Sequence, residues 1–216
     1  PAPAANPYLA FAAMLAAGLA GIEEGLELLL DSGDVTMEPV ANVQACYLSG
    51  LYGAEVFAAA QLGRMAKHCY ENRINIPRVI EKIEAEQGIQ FAPLQRQTLE
   101  AAASRQLVVI TGGPGTGKTT SVRAVLALFD AMGLETLLAA PTGRAAKRLS
   151  ELSGRDASTI HRLLEANFSE QTDTVTFKRD ESDPLAYDAL IVDECSMVDI
   201  TLMRALLAAI RPELMA

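Results

Sequence analysis

The strongest constraint on the fold is the stretch from Leu107 to Thr120. It reads Leu-Val-Val-Ile-Thr-Gly-Gly-Pro-Gly-Thr-Gly-Lys-Thr-Thr, so an apolar run typical of a β-strand leads into a glycine-rich loop of the form G-x-x-x-x-G-K-[ST]. A helical pattern from Ser121 to Met132 follows at once. Strand, loop and helix in this order are the context that a phosphate-binding loop requires. The stretch therefore predicts an α/β fold with a parallel sheet.

The residue types of this loop suit the binding of phosphate. Glycine allows the turns through which consecutive N–H groups converge on phosphate oxygens, and the following helix adds the positive end of its dipole. We expect Lys118 to reach the β- and γ-phosphates and the Thr119 hydroxyl to ligate Mg²⁺. The alternative is a glycine-rich turn with an unrelated lysine, which the complete motif and both flanks disfavour. The residues predicted to bind a nucleoside triphosphate are Gly112, Gly113, Pro114, Gly115, Thr116, Gly117, Lys118, Thr119 and Thr120.

A second candidate motif is the stretch from Asp188 to Asp199. Its apolar residues predict a buried parallel strand, and Asp193-Glu194 follow at the carboxyl end, where ligand sites of open α/β sheets lie. We expect Asp193 to hold Mg²⁺, usually through water, and Glu194 to act as the base that deprotonates the attacking water. An apolar run that ends in Asp-Glu is common by itself. Together with the upstream loop, it predicts a phosphoryl-transfer site with Lys118 and Glu194 as catalytic residues.

Three further polar positions have roles that the residues alone leave open. Gln95, one helix upstream of the loop, can offer its amide to an adenine edge, although a solvated polar face is the more common role. Thr142 follows a second predicted strand (residues 135–140) and opens a basic helix, which suits a second phosphate contact. His161, in a short predicted helix, is more often structural than catalytic.

The composition indicates a globular protein with a packed core. Half of its 216 residues are hydrophobic. The three cysteines, Cys46, Cys69 and Cys195, show no C-x-x-C spacing, so neither a zinc site nor a disulfide framework is indicated and a reducing, cytoplasmic setting fits. The alanine-rich run from Tyr8 to Ile22 is too short for a membrane span and lacks the basic start of a signal peptide.

The charge is unevenly distributed along the chain. A net charge of −9 does not by itself indicate a nucleic-acid-binding protein. Residues 141–162, however, contain five basic residues against two acidic ones. A run of this kind is usually a solvated face, so alone it is a weak indication of an anionic partner. The five basic residues are Arg144, Lys147, Arg148, Arg155 and Arg162.

The patterns along the chain predict three regions. Residues 1–30 form an alanine-rich helical segment, residues 31–89 a helical region with a small hairpin that turns at Glu38-Pro39, and residues 90–216 an α/β domain. Within the first region, Asn6–Leu19 resembles a stretch near the C-terminal end of glutamine synthetases. The carboxylate-rich site of that family does not accompany it, so we assign this segment no activity.

Four segments together resemble the first four successive motifs of the RecD-like superfamily 1 DNA helicases, in their long form. Gln95 matches the adenine-contacting glutamine of that family, and Tyr47–Glu55 resembles the segment before its motor. Cys195 stands where the family more often has alanine, a small-for-small change that we expect to be mild. The four segments are Gly112–Thr120, Ala140–Leu149, Ser158–Leu164 and Asp193–Asp199.

The resemblance implies a RecA-like P-loop NTPase domain that couples hydrolysis of Mg²⁺-ATP to 5′–3′ movement on single-stranded DNA and to duplex unwinding. It implies contacts with the base for Gln95 and with DNA for Thr142, Arg144 and His161. Expected partners are single-stranded DNA, or DNA with single-stranded ends, and other repair proteins. No membrane association is expected, and we expect a cytoplasmic monomer.

The chain stops at Ala216, before the later motifs and the second motor domain of that family. It therefore resembles a first motor domain truncated at its C-terminus, and we expect it alone to bind Mg²⁺-ATP, hydrolyse it slowly and unwind no duplex. Two other functions remain open. One is a stand-alone ATP-binding switch or regulatory module without unwinding activity. The other, ranked lower, is an ATP-dependent enzyme that acts on small molecules.

Overall fold

The structure, a computed structural model, describes residues 30, 32–70, 75–112, 117–169 and 174–211. The chain divides into two units, one ending at Val56 and the other beginning at Phe57. The domain bounds predicted at residues 30 and 90 stay predictions, and the segment predicted as an alanine-rich helix lies outside the described residues apart from Leu30. In the described ranges, no helix combines the length and the apolar character needed to cross a membrane.

The first unit contains a hairpin of two antiparallel strands, β1 (Val35–Val40) and β2 (Val43–Leu48). Ala41 adopts the left-handed conformation in the connection, with φ +54°. The turn predicted at Glu38-Pro39 is wrong, because Pro39 lies inside β1, opposite Gln44. Each strand of a two-stranded hairpin has an unpaired edge, on which the missing N–H of proline costs no ladder hydrogen bond.

Between residues 49 and 112 the described part of the chain forms the helices α1 (Ser49–Lys67), α2 (Ile76–Gln87) and α3 (Pro93–Ser104). The side chain of Asn75 caps α2 by accepting a hydrogen bond from the backbone of its first turn, and Gly88 ends this helix in the left-handed conformation that favours glycine.

A buried acidic residue joins α2 to α3. Glu84, only 8 % exposed, lies near the end of α2. Its carboxylate accepts the N–H of Phe91 at 2.7 Å and forms an ion pair with Arg96 of α3. A buried carboxylate needs such partners, and here they fix the chain between the two helices.

The second unit continues as an alternation of helices and strands. The strands β3 (Thr136–Ala140), β4 (Ser158–Thr159) and β7 (Ala189–Val192) pair in the order β4-β3-β7, and both pairings are parallel. The predicted α/β fold with a parallel sheet is therefore confirmed. In chain order the elements are α4 (Lys118–Met132), β3 (Thr136–Ala140), α5 (Gly143–Ser153), β4 (Ser158–Thr159), α6 (Ile160–Leu163), β5 (Ala166–Ser169), β6 (Thr174–Phe177), β7 (Ala189–Val192) and α7 (Ile200–Ala209).

Helices cover both faces of this sheet. Ile191 of β7 packs against the cluster that contains Leu126 of α4, whereas its neighbour Leu190 packs with Ile160 of α6 and Leu206 of α7. Because successive side chains of a strand point to opposite faces, this alternation shows a layer of helices on each side. The parallel strands are therefore buried, and their carboxyl ends form a single edge.

The apolar run before the phosphate loop does not pair with the sheet. No residue of 107–112 belongs to a strand, and Val109 is 76 % exposed. Residues 107–110 and β7 line a common cavity of about 340 Å³. The strand predicted here is wrong for this structure, because apolar β-branched residues favour an extended backbone whereas pairing depends on packing against a neighbour.

A second hairpin, β5–β6, lies between β4 and the last strand. The alternating pattern of Thr174–Lys178 predicts a strand here that returns as a hairpin with the stretch near Asn167, and the structure confirms it. Asn167 stands opposite Thr176 in its antiparallel register. Glu165 precedes the hairpin and accepts hydrogen bonds from Lys178 and Arg179, each with a donor–acceptor distance of 2.8 Å. These hydrogen bonds, first that of Lys178 and then that of Arg179, lower the pKa of the Glu165 carboxyl.

Candidate nucleotide-binding site

Both ends of the predicted phosphate loop are described, while residues 113–116 lie outside the described part. Gly117 has φ +84°, a conformation that favours glycine, and directly precedes α4. Lys118 is the first residue of α4, and its Nζ donates to the carbonyl oxygen of Gly112 at 2.6 Å. The lysine therefore joins the two described ends of the loop, Gly112 and the start of α4. The roles of Gly113, Pro114, Gly115 and Thr116 stay predictions.

Asp193 and Glu194 follow β7 directly, at the carboxyl end of the sheet. The N–H of Asp193 donates to the carbonyl oxygen of Ala139 in β3 at 2.9 Å. Its Oδ1 accepts the N–H of Glu194 at 2.9 Å. Glu194 itself is exposed and left-handed, with φ +53°. Such a conformation is uncommon in residues other than glycine and occurs often at functional sites. The backbone and the sequence therefore both indicate a functional role for this turn.

The structure brings Lys118 and Asp193 into the wall of one cavity. The remainder of the wall is mainly apolar. Besides residues 107–110, α4, β7 and α7, it includes Leu62 and Met65 of α1, Ala102 of α3 and a second cation, Arg105. A cation and a carboxylate thus reach the same space from two different elements, the start of α4 and the end of β7. A magnesium nucleotide needs this combination, because the cation binds phosphate and the carboxylate binds the metal.

Gln95 also lies at the loop. It is the third residue of α3, and its Oε1 accepts the N–H of Ala92 at 2.9 Å. A Cβ placed on Gly117 would lie only 3.1 Å from its Nε2. Gln95 is half-buried at the described end of the loop, and its contact with a base stays a prediction.

The residues predicted to contact DNA follow β3 and β4, the other two strands of the sheet that contains β7. Thr142 follows β3 and caps α5 with its side chain, and Arg144 is exposed in the first turn of that helix. His161 follows β4, is exposed, and has its ring centroid 6.0 Å from that of Phe177. Because β4, β3 and β7 are parallel neighbours, His161, Thr142 and Asp193 follow one another along a single edge.

The side chains at this site fit a magnesium nucleotide. Thr119 lies in the first turn of α4 and is exposed, so its hydroxyl is accessible from solvent. Asp193 supplies a carboxylate on the cavity wall. Hydroxyl and carboxylate oxygens are hard ligands of the kind that Mg²⁺ takes, with phosphate oxygens and water completing its shell.

Most residues of the cavity wall, Cys195 among them, are not predicted as site residues from the sequence. Cys195 lines the cavity with Lys118 and Asp193. Burial raises the pKa of its thiol, so this cysteine stays protonated and is a weak nucleophile near neutral pH. The sequence feature that could have identified Cys195 as a wall residue is its position directly after Asp193-Glu194.

Asp199 ends this segment and caps α7. Its Oδ1 accepts the backbone N–H of Leu202 and the hydroxyl of Thr201, each at 2.8 Å. These two hydrogen bonds, the backbone one first, lower the pKa of Asp199. The carboxylate thus satisfies one of the free N–H groups at the start of the helix.

Replacing Asp199 with alanine is expected to lower the free energy of unfolding by about 1 kcal/mol, the usual effect of losing an N-cap. The pKa of Asp199 is lower in the folded state than in the unfolded state. The stabilisation by its ionised carboxylate is therefore fully present above the pKa of the unfolded chain, about 3.9, and is lost as the pH falls through the pKa of the folded protein. Urea denaturation of both proteins at pH 7 and in acid should therefore show a difference that shrinks in acid. Asp156→Ala removes an exposed carboxylate with no hydrogen bond to a described residue, and an equal loss there would contradict the capping role.

The fold and the candidate site define a class of protein, an α/β domain of the P-loop type with a parallel sheet. A family model described as "AAA domain" matches residues 95–216, more than half of the chain. The chain belongs to this family, and membership implies nucleotide binding. A second model, the catalytic domain of glutamine synthetase, matches residues 1–37, which agrees with the resemblance of Asn6–Leu19.

Individual relatives are helicases. The ATP-dependent RecD2 DNA helicase of Deinococcus radiodurans is 50% identical over 118 residues, which cover 55% of this chain and 16% of that protein. The ATP-dependent DNA helicase dda of Enterobacteria phage T4 is 45% identical over 107 residues, which cover 49% of this chain and 24% of that protein. The RecBCD enzyme subunit RecD of Buchnera aphidicola subsp. Acyrthosiphon pisum is 29% identical over 201 residues. The match covers 84% of this chain and 32% of that protein. The chain thus spans a third or less of these relatives, and they confirm the resemblance to RecD-like helicases.

Proposed function

We propose that the chain is the ATP-binding part of a RecD-like DNA helicase, in which hydrolysis of Mg²⁺-ATP drives 5′–3′ movement along single-stranded DNA. The observation that carries the proposal is the presence of Lys118 and Asp193 in the wall of one cavity, at the sheet edge that also bears Thr142 and His161. The relatives are named as ATP-dependent DNA helicases, which supports this reading. From the resemblance to RecD-like helicases, we also propose that the protein is a cytoplasmic monomer and that its partners include repair proteins.

Each residue of the site has one role in this proposal. Lys118 and the amides at the start of α4 bind the β- and γ-phosphates, and Thr119 and Asp193 hold Mg²⁺. The bound magnesium nucleotide supplies a phosphorus centre open to attack and a leaving group whose charge the metal neutralises. Glu194 accepts the proton of the attacking water at its carboxylate. Gln95 contacts the base.

The DNA strand is proposed to lie along the carboxyl ends of β4 and β3. Arg144 and Arg148 lie one turn apart on α5 and Arg162 lies on α6; all three are exposed, and none forms an ion pair with a described residue. The other two basic residues of 141–162 are paired with carboxylates. Three guanidinium groups near the predicted contacts are therefore available to phosphates.

Removing these three arginines together, by Arg144→Ala, Arg148→Ala and Arg162→Ala, is expected to weaken binding to a single-stranded oligonucleotide. The slope of log affinity against log salt concentration should become shallower by about 0.7 for each lost phosphate contact, hence by about two in all. Fluorescence anisotropy across a salt series measures both quantities. Nucleotide affinity should remain at the wild-type value, since the substitutions lie outside the cavity wall.

A matched control removes three basic residues from α1 and α2, through Arg64→Ala, Arg78→Ala and Lys82→Ala. An unchanged salt slope in the first variant, or an equal change in the control, would contradict a DNA site at this edge. A wild-type chain that binds ATP but no DNA would favour the alternative function, a stand-alone ATP-binding switch or regulatory module.

A further inference from the structure

The backbone of β7 forms ladder hydrogen bonds on one side only. Asp193, directly after the strand, donates its N–H to the carbonyl oxygen of Ala139 in β3 at 2.9 Å. In a parallel ladder, alternate residues direct their backbone groups to the same side, so Ile191 also faces β3 whereas Leu190 and Val192 face away from it. Because β7 is the last strand in the sheet order, the backbone groups of these two residues meet no other strand in the described part of the chain.

The free side of β7 faces a cavity. Leu190 and Val192 line the cavity of about 340 Å³ that also contains Lys118 and Asp193 in its wall, and no residue of β3, all of which is described, lines it. Leu190 is only 6 % exposed. A buried N–H or C=O group without a partner is unfavourable, because it loses its hydrogen bonds to water. The free side of β7 therefore needs a hydrogen-bonding partner inside this cavity.

The boundaries of the cavity are those of a place for one strand. Opposite β7 lies the run 107–110, which belongs to no strand either. Apolar side chains of α4 cover one face of the cavity, among them Val122 and Val125, and apolar side chains of α7 cover the other, among them Leu206 and Leu207. Walls of this kind suit the side chains of a parallel strand that is buried on both faces.

We propose that this cavity is the position of a further strand, which pairs with β7 in parallel and which the polypeptide supplies after α7. Two parallel neighbours are joined by a crossover that usually contains a helix, and α7 follows β7 in the chain. Ile210, directly after α7, lines the cavity, so the chain leaves this helix beside the place that the strand would occupy. Two relatives are matched over only 16% and 32% of their length, so such proteins have polypeptide from which a strand can come.

The strand has a consequence for the nucleotide site, and this step rests on the proposed function. Lys118 follows the run 107–110 through the loop, Asp193 follows β7, and both residues line the cavity between these segments. A strand that pairs with both segments holds them two strand spacings apart, about 10 Å. Since Mg²⁺-ATP uses the lysine and the carboxylate together, the strand and the nucleotide bind cooperatively.

Amide hydrogen exchange, measured by NMR on the 216-residue chain, tests the free side of β7. The N–H groups of Leu190 and Val192 should exchange about tenfold faster than those of Ile191 and Asp193, which corresponds to the absence of one hydrogen bond. Equal protection of all four groups overturns the proposal, because the side of β7 that faces the cavity would then already have a partner.

A strand attached behind Ala216 tests the cavity itself. The extension consists of a flexible Gly/Ser linker and the sequence Thr-Leu-Leu-Ala-Ala of the buried strand β3, and the linker gives this sequence a millimolar effective concentration. The N–H groups of Leu190 and Val192 should then exchange about tenfold more slowly. Calorimetric titration with Mg²⁺-ATP should show an affinity higher by about 5- to 150-fold, the usual range of coupling between two sites.

The matched control carries the extension Thr-Pro-Leu-Pro-Ala, which lacks two N–H groups and cannot pair in the interior of a sheet. Protection of Leu190 and Val192 by both extensions, or by neither, overturns the strand position. Equal protection by the unattached peptide at micromolar concentration overturns the source in the same chain and indicates a separate partner. Protection with unchanged ATP affinity overturns the link to the nucleotide site. Failure of ATP to bind any of these chains overturns the proposed function, while the exchange rates still decide the strand position.

Discussion

Lys118→Ala is expected to weaken ATP binding by about 10- to 150-fold, the effect of removing a hydrogen bond to a charged group. The described part of the chain gives this ammonium one hydrogen bond, to the carbonyl oxygen of Gly112. Phosphate oxygens can replace that weak acceptor without movement of α4, because the side chain extends from the first turn of the helix. Calorimetric titration with Mg²⁺-ATP measures the loss.

The fold itself should tolerate this substitution. Lys118 is exposed, so its removal leaves no buried polar group without a partner, and the free energy of unfolding should change by less than about 0.5 kcal/mol. Lys82→Ala is the matched control, since it removes an exposed lysine of α2 whose partner is Glu86 at 3.6 Å. Wild-type ATP affinity in Lys118→Ala, or an equal loss in Lys82→Ala, would contradict the phosphate-binding role.

Local sequence signals were sufficient for the helix that carries this lysine. The pattern predicted a helix over Ser121–Met132, beginning near Lys118, and α4 spans Lys118–Met132. Gly117 and Gly133 flank it, both with positive φ. Glycine is the residue that adopts this conformation without strain, so both ends of the helix are encoded next to it in the chain.

Pairing between distant segments could not be inferred in this way. Residues 107–110 have the composition of a buried strand, yet they line a cavity with β7 and form no ladder. Pro39 predicts a turn, yet it lies within β1. In both cases it is the presence or absence of a neighbouring strand, and not the local residue type, that decides whether the segment joins a sheet.

The candidate site was predictable to the extent that it depends on topology. The Asp-Glu pair follows β7 at the carboxyl end of the parallel sheet, as its sequence predicts. Lys118 lines the same cavity as Asp193, although the run before its loop is not a strand of that sheet. The position of Gln95 was not predictable from the residues alone. It depends on the cap at Ala92 and on the bridge from Glu84, two contacts that no local pattern encodes.

Glu194→Gln is expected to lower the rate of ATP hydrolysis by about 10²- to 10⁴-fold, the usual contribution of a general base. Glutamine has the same shape but cannot take the proton of the attacking water. The turn itself should persist, because the hydrogen bond that holds it runs from the backbone N–H of Glu194 to Asp193 and does not use the Glu194 side chain. ATP affinity should therefore remain near the wild-type value.

Phosphate release at saturating ATP, with and without single-stranded DNA, together with calorimetric ATP titration separates chemistry from binding in this variant. Glu181→Gln makes the same change at an exposed position outside the cavity wall and should hydrolyse ATP like the wild type. If hydrolysis and affinity fall together in Glu194→Gln, this carboxylate takes part in binding the magnesium nucleotide and is not the base. If hydrolysis is unchanged, the proton is accepted elsewhere, and the role assigned to the strained turn after β7 is wrong.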